Sequence, residues 1–295
     1  MLTVRNLTKA IDGKTIIERI SFEIHSGTIT GLVGRNGVGK STLLRLLAGI
    51  LDPDQGEVLL DGVNLTQHPL IKMSMYYVPD SISMFNGYTA KELVKLHRHM
   101  YEPFDEQAFY AWLDRFQLPA NRSLRSFSKG MKALLSIILA LSTRAKLILL
   151  DEPTNGLDVI VKKQIMQLLI EEVSERQIAL LISSHHLQEL EKIADVVLML
   201  KDTTIESVLR IDEVKMTFKK VQVAFADMGA IPLGQLADVE VLSQVGRVTT
   251  LLLKRNAAQT LELLQRLEPL LLEELPVTIE DLFISTLGGG DRYVS

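Results

Sequence analysis

The sequence predicts an α/β fold, and three patterns point to it. A β-branched apolar run, Thr28–Val33, ends in glycines and opens into a helix-like segment, Ser41–Ala48. Two further runs of buried type, Leu147–Leu150 and Ala179–Ser183, are separated by a helical pattern over Val161–Val173. Continuous apolar runs, as opposed to alternating ones, mark strands covered on both faces, as in parallel sheets built from strand–loop–helix units. Third, residues from about 90 to 144 are rich in helix formers at 3.6-residue spacing and carry few strand signals. They read as a helical subdomain inserted into the α/β core.

Taken in order, Leu2–Val4 and Ile20–Ile24 read as short strands, with turns at Asp12-Gly13 and Ser26-Gly27. Glu57–Leu60 and Tyr76–Val78 read as further strands. The pattern changes after about Ile205. Val221–Phe225, Val239–Leu242 and Val248–Leu253 alternate like strands, and Ala257–Leu267 and Ile279–Leu287 look helical. The expected organisation is a large α/β domain over 1–210 and a small α+β domain over 211–295, whose glycine run at Gly288-Gly289-Gly290 begins a loose tail.

The 295 residues are 47% hydrophobic, enough for a sizeable core, and the net charge of −4 does not call for nucleic acid or an anionic membrane. The absence of cysteine excludes disulfides, thiolate nucleophiles and thiolate zinc sites. No stretch reaches the roughly 18 apolar residues that span a bilayer. Met1–Arg5 lacks a basic region followed by an apolar one, so no secretion signal is expected there. A membrane role is expected to be peripheral, through another chain.

Gly34-Arg35-Asn36-Gly37-Val38-Gly39-Lys40-Ser41 fits the pattern G-x4-G-K-[ST], between an expected strand and an expected helix. Glycines let the backbone curl so that its N–H groups face phosphate oxygens, and the helix N-terminus adds positive dipole. Lys40 supplies charge for the β- and γ-phosphates of ATP. Ser41 is a magnesium ligand candidate, and Thr42 completes the nucleotide-binding set. A second feature is the apolar strand Leu147–Leu150 running into Asp151-Glu152-Pro153. Two acids at the carboxyl edge of a parallel sheet lie where ligands bind. Asp151 suits the shell of Mg2+, and Glu152 suits a general base that polarises water.

With these motifs the chain resembles the ATPase subunits of ABC transporters, over about residues 2 to 210. Phe127-Ser128-Lys129-Gly130-Met131-Lys132 is similar to the family signature, Thr154-Asn155-Gly156-Leu157-Asp158 to its D-loop, and Ser183-Ser184-His185 to its switch histidine, all in family order. The resemblance implies a P-loop NTPase core of the ABC type. It implies that Ser128 and Gly130 face the γ-phosphate held by a second ATPase subunit, and that His185 contacts that phosphate and holds Glu152 and the water. It also implies a separate transmembrane permease and a position on the inner, cytoplasmic face of the cell membrane, with no nucleic acid partner. The Ser-Lys-Gly-Met-Lys form resembles a bacterial exporter subgroup.

Four positions depart from the family pattern. Ile11 stands where an aromatic residue usually stacks on adenine, so weaker and less adenine-selective contact is expected. Asp80 stands where a glutamine follows the strand ending Tyr77-Val78-Pro79, placing a shorter, negative side chain near magnesium. Lys129 and Met131 replace a glycine and a glutamine of the signature. Phe85 and Tyr88 read either as exposed anchors for a membrane partner or as rings packed under their own loop. His97 and His99, two apart, do not share a helical face, and a metal site there is not expected. The alternative to transport is a nucleotide-dependent regulator, or a factor acting on ribosomes or DNA. The single ATPase unit and the lack of a basic stripe speak against ribosomes and DNA.

Overall fold

The computed structural model describes residues 1–81, 83–226, 238–254 and 257–287; the expected glycine tail at 288–290 lies outside them. In order, the elements are β1 (Leu2–Ile11), β2 (Lys14–Ile24), β3 (Ile29–Val33), α1 (Lys40–Leu47), β4 (Gln55–Leu60), β5 (Val63–Asn64) and β6 (Met75–Val78). There follow α2 (Ala90–Met100), α3 (Glu106–Arg115), α4 (Lys129–Ser142), β7 (Leu147–Asp151), α5 (Val159–Arg176), β8 (Ala179–Ser184), α6 (Leu187–Leu190), β9 (Val196–Lys201) and β10 (Thr204–Arg210). The remainder is α7 (Ile211–Thr217), β11 (Lys219–Ala224), β12 (Val239–Val245), β13 (Val248–Leu253), α8 (Ala257–Arg266), β14 (Leu271–Leu275) and α9 (Ile279–Leu287). They form two compact units: Met1–His186 with Ile193–Val208, and Leu187–Lys192 with Leu209–Ser295. Leu187–Lys192 falls inside the range read from sequence as the first domain, yet its packing places it in the second unit.

The first unit holds two sheets. One has the order β2-β1-β4-β5 and the other β10-β9-β3-β8-β7-β6. In the second sheet β9, β3, β8, β7 and β6 run parallel, and β3, β7 and β8 are buried along their whole length. Helix α1 buries Leu43, Leu44, Leu46 and Leu47 in a core shared by residues of both sheets. Each buried leucine contributes roughly 1.5–3 kcal/mol relative to exposure. β1 and β2 extend well beyond the short strands read from sequence. Asp12 (φ 50°) and Gly13 (φ 77°) form the two-residue turn that joins them, with both residues in the left-handed region that matches strand twist. Register shifts along β1 break the alternation, which is why the strand signal was short.

Between β6 and β7 lie α2, α3 and α4, each started by a side-chain cap. Thr89 and Glu92 form a reciprocal box on α2, Asp105 accepts from Ala108 N–H on α3, and Ser128 accepts from Met131 N–H on α4. Asn86 ties this region together: its carbonyl accepts from Arg125 N–H and Ser123 Oγ, and its side chain from Lys132 Nζ. Phe85 is half-buried edge-on to Tyr88 at 6.0 Å, while Met84 and Tyr88 are exposed.

The second unit is an antiparallel sheet of order β12-β13-β11-β14. The alternating residues Val221, Val223, Phe225, Leu251 and Leu253 face Leu264 of α8 in a separate core. Buried Asp281 accepts from Thr278 and pairs with Lys220, fixing the start of α9. No helix among the described residues is long and apolar enough to cross a membrane.

His97 of α2 is buried. Its Nδ1 donates to Leu93 O at 2.7 Å, so Nε2 accepts from Tyr76 OH at 2.7 Å. Burial pushes the ring below its ordinary value, the bond to Leu93 opposing this. The folded state therefore keeps the ring neutral while the unfolded state takes up a proton first, and stability from this group falls as pH drops below about 6.5. Thermal unfolding between pH 7 and pH 5 is expected to show a shallower loss of Tm in His97→Gln than in the parent; equal slopes would refute this role.

Candidate active site

The register of the parallel strands assembles the site. Asp151 lies opposite Ser183, while Leu32 and Val33 lie opposite Ser183 and Ser184. The loop after β3, the acids ending β7 and the histidine after β8 therefore leave one edge of the sheet at one level.

The loop from Gly34 to Gly39 curls because its glycines permit it. Gly37 and Gly39 have φ of 78° and 113°. A Cβ on Gly34 would stand 2.6 Å from Leu200 O, and one on Gly39 would stand 2.9 Å from Ile16 Cγ2. At Gly39 the conformation and the contact both demand glycine. Gly39 caps α1 without any side-chain acceptor, so the first-turn N–H groups, with those of Ser41 and Thr42 among them, point out of the helix end. Lys40 is buried at the centre of the curl. Its Nζ donates to Gly34 O at 2.9 Å and Arg35 O at 3.4 Å and lies 3.4 Å from Glu152 Oε1. A cradle of this shape, with amides and an ammonium on one pole, fits the triphosphate of a nucleotide.

Asp151 is buried, with Oδ1 accepting from Ser183 Oγ at 2.8 Å and Oδ2 from Tyr77 OH at 3.1 Å. Burial, and then the neighbouring Asp151 carboxylate, push the Tyr77 phenol up to about 12, so it remains a donor. Glu152 adopts φ 48°, the left-handed region, at a cost of ~1–3 kcal/mol. It is held there by its N–H, which donates to Ser183 Oγ at 2.9 Å and Ser183 O at 3.2 Å. Its Oε2 is 2.7 Å from His185 Nδ1. Asp151 and the Ser41 hydroxyl are hard oxygen donors of the kind that fit magnesium.

Lys40 and His185 thus each contact Glu152, and Asp151 is joined to Glu152 through Ser183. Asp80 lies a step away, lining a cavity of about 400 Å³ with Glu152, Lys129 and Ser136. Ile11 is 39% exposed at the end of β1. Ser128 and Gly130 sit on α4, apart from this cluster. Gly130 is buried, and a Cβ there would meet both γ-carbons of Val161 at 3.2 and 3.3 Å, so its smallness lets α4 approach α5 within the chain. Lys129 Nζ lies 2.7 Å from where a Cβ on Gly156 would stand. Sequence reasoning assigned nothing to Tyr77 or Ser183. The available signal was a polar residue ending an otherwise apolar strand beside the acids.

A glycine cradle around a buried lysine, followed on the same sheet edge by paired acids and a histidine, defines a nucleotide-hydrolysing site of the P-loop type. The family model for ABC transporters matches residues 17–155. The chain is 36% identical over 293 residues to the ABC transporter ATP-binding protein YtrB of Bacillus subtilis (strain 168), covering 99% of this chain and 100% of that one. It is 31% identical to the lantibiotic transport ATP-binding protein SrtF of Streptococcus pyogenes, over 66% of this chain and 84% of that one. The dimeric structure of MJ0796, a bacterial ABC transporter cassette, has the same fold (TM-score 0.63, 24% identity, 72% of this chain and 99% of that one). This chain belongs to the ATP-binding subunits of ABC transporters, and it is an ATPase.

Ser183 carries contacts to both acids. Losing a hydrogen bond to a charged group costs ~1.5–3 kcal/mol, so Ser183→Ala is expected to slow ATP hydrolysis roughly tenfold or more. Steady-state phosphate release measures it, and a parental rate would remove Ser183 from the site.

Proposed function

We propose that this chain is the ATP-hydrolysing subunit of a bacterial ABC exporter and drives a separate membrane permease from the inner face of the cell membrane. The observation that carries the chemistry is the contact series Lys40–Glu152–His185 at the mouth of the glycine cradle. The loop amides of residues 34–42 and the Lys40 ammonium bind the β- and γ-phosphates. Ser41 and Asp151 would hold Mg2+, which would supply charge stabilisation for the transferring phosphoryl group. Glu152 accepts a proton from the attacking water, and His185 fixes the orientation of that carboxylate. Asp80 borders the same cavity as Glu152 and would reach the ion directly or through water. Most of the rate then comes from positioning and preorganised charge.

A second copy or a related subunit completes the site. Ser128 starts α4 with its side chain at the helix end, and the first-turn N–H groups of that helix suit a γ-phosphate bound by the partner. Ile11 gives apolar contact to the base without ring stacking. The name of the lantibiotic transport relative supports export. The exposed pair Met84 and Tyr88 beside the Asn86 linkage suits a permease contact.

Glu152→Gln is expected to lower hydrolysis by about 10²–10⁴-fold while nucleotide still binds. Hydrolysis at the parental rate would favour a nucleotide-dependent regulator instead. Lys40→Ala should lose ATP binding in a calorimetric titration. ATP should convert the Glu152→Gln variant from monomer to dimer in light scattering; a monomer at saturating ATP would refute the shared site. Affinity capture from membranes should recover a multi-spanning protein, and recovery of ribosomes in its place would defeat transport.

A further inference from the structure

The residue after His185 is also a histidine, and the reaction scheme makes no use of it. Along an extended strand neighbouring side chains point to opposite faces, so consecutive rings do not ordinarily meet. Here they do: the ring centroids of His185 and His186 are 4.0 Å apart and their planes tilt by 41°. The chain leaves β8 at Ser184, and the bend is fixed by His186 N–H donating to the Oγ of buried Ser184 at 2.9 Å. His185 is the more exposed of the two, with 32% of its side chain open to solvent, and among the described residues its one hydrogen-bond partner is Glu152. A half-open ring with a single bond samples other rotamers unless something blocks them. The ring of His186 lies directly against it.

We infer that His186 is a positioning residue for ATP hydrolysis, limiting rotation of the His185 ring to the range in which Nδ1 reaches Glu152. This rests on the roles given above to Glu152 and His185. The task requires a flat face of about the right size and does not require charge.

The test uses the full chain, with His186→Ala, His186→Phe and, as a control, Glu152→Gln. His186→Ala is expected to lower kcat for ATP roughly three- to tenfold, the range an aromatic contact supports, with KM little changed. His186→Phe is expected to recover nearly the parental kcat. In a long-range nitrogen–proton spectrum the His185 ring should hold one tautomer in the parent and in His186→Phe, and average in His186→Ala. Should the alanine variant fold poorly, His186→Leu, which keeps bulk without a flat face, is read the same way. An alanine variant with parental kcat, or a phenylalanine variant as impaired as alanine, overturns the assignment. If Glu152→Gln is inactive while His186→Ala is unaffected, this inference falls alone. If Glu152→Gln hydrolyses at the parental rate, both fall together.

Discussion

The parallel pairing of β3, β7 and β8 is the constraint on which the rest depends. Their register puts Asp151 beside Ser183 and brings the phosphate loop to the same edge. It is set by apolar residues buried on both faces, so a slip of one residue would turn every core side chain of a strand the wrong way. The site is therefore positioned by packing energy that has no chemical role in it. The polar groups at the edge add local orientation to a placement the core has already made.

Ser183 makes that orientation specific. Its hydroxyl donates to Asp151 and accepts from the Glu152 N–H, so a single side chain spaces the two acids. The second of these bonds also holds Glu152 in a left-handed conformation unusual for a residue with a side chain. That conformation turns the carboxylate toward Lys40 and His185 and away from the path of a continuing strand. Backbone strain here is balanced by hydrogen bonding within the same sheet, and it converts a strand end into a site.

Much of this was legible in the amino-acid order because it is local. The phosphate loop, the acids at the end of Leu147–Leu150 and the histidine after Ala179–Ser183 each announce themselves within about ten residues, and α/β architecture follows from the uninterrupted apolar runs. What escaped depends on pairings between distant segments. Tyr77 reaches Asp151 because β6 lies next to β7 in a given register, which no window of sequence contains. The lengths of β1 and β2 were hidden by register shifts that break period-two alternation. The packing of His97 was not legible because its partner Tyr76 comes from a distant strand. The tight approach at Gly130 needs Val161, which sits on another helix.

The four-residue helix α6 is too short for any periodic signal, yet it belongs with the C-terminal unit, where Gln188 reaches Glu280. The polypeptide thus visits that unit, returns to finish the nucleotide-binding sheet with β9, and departs again. Cutting the chain after residue 210 to isolate a catalytic fragment would strip Leu187–Lys192 of the surroundings that bury Leu190, leaving a sticky apolar stub immediately downstream of the histidine pair.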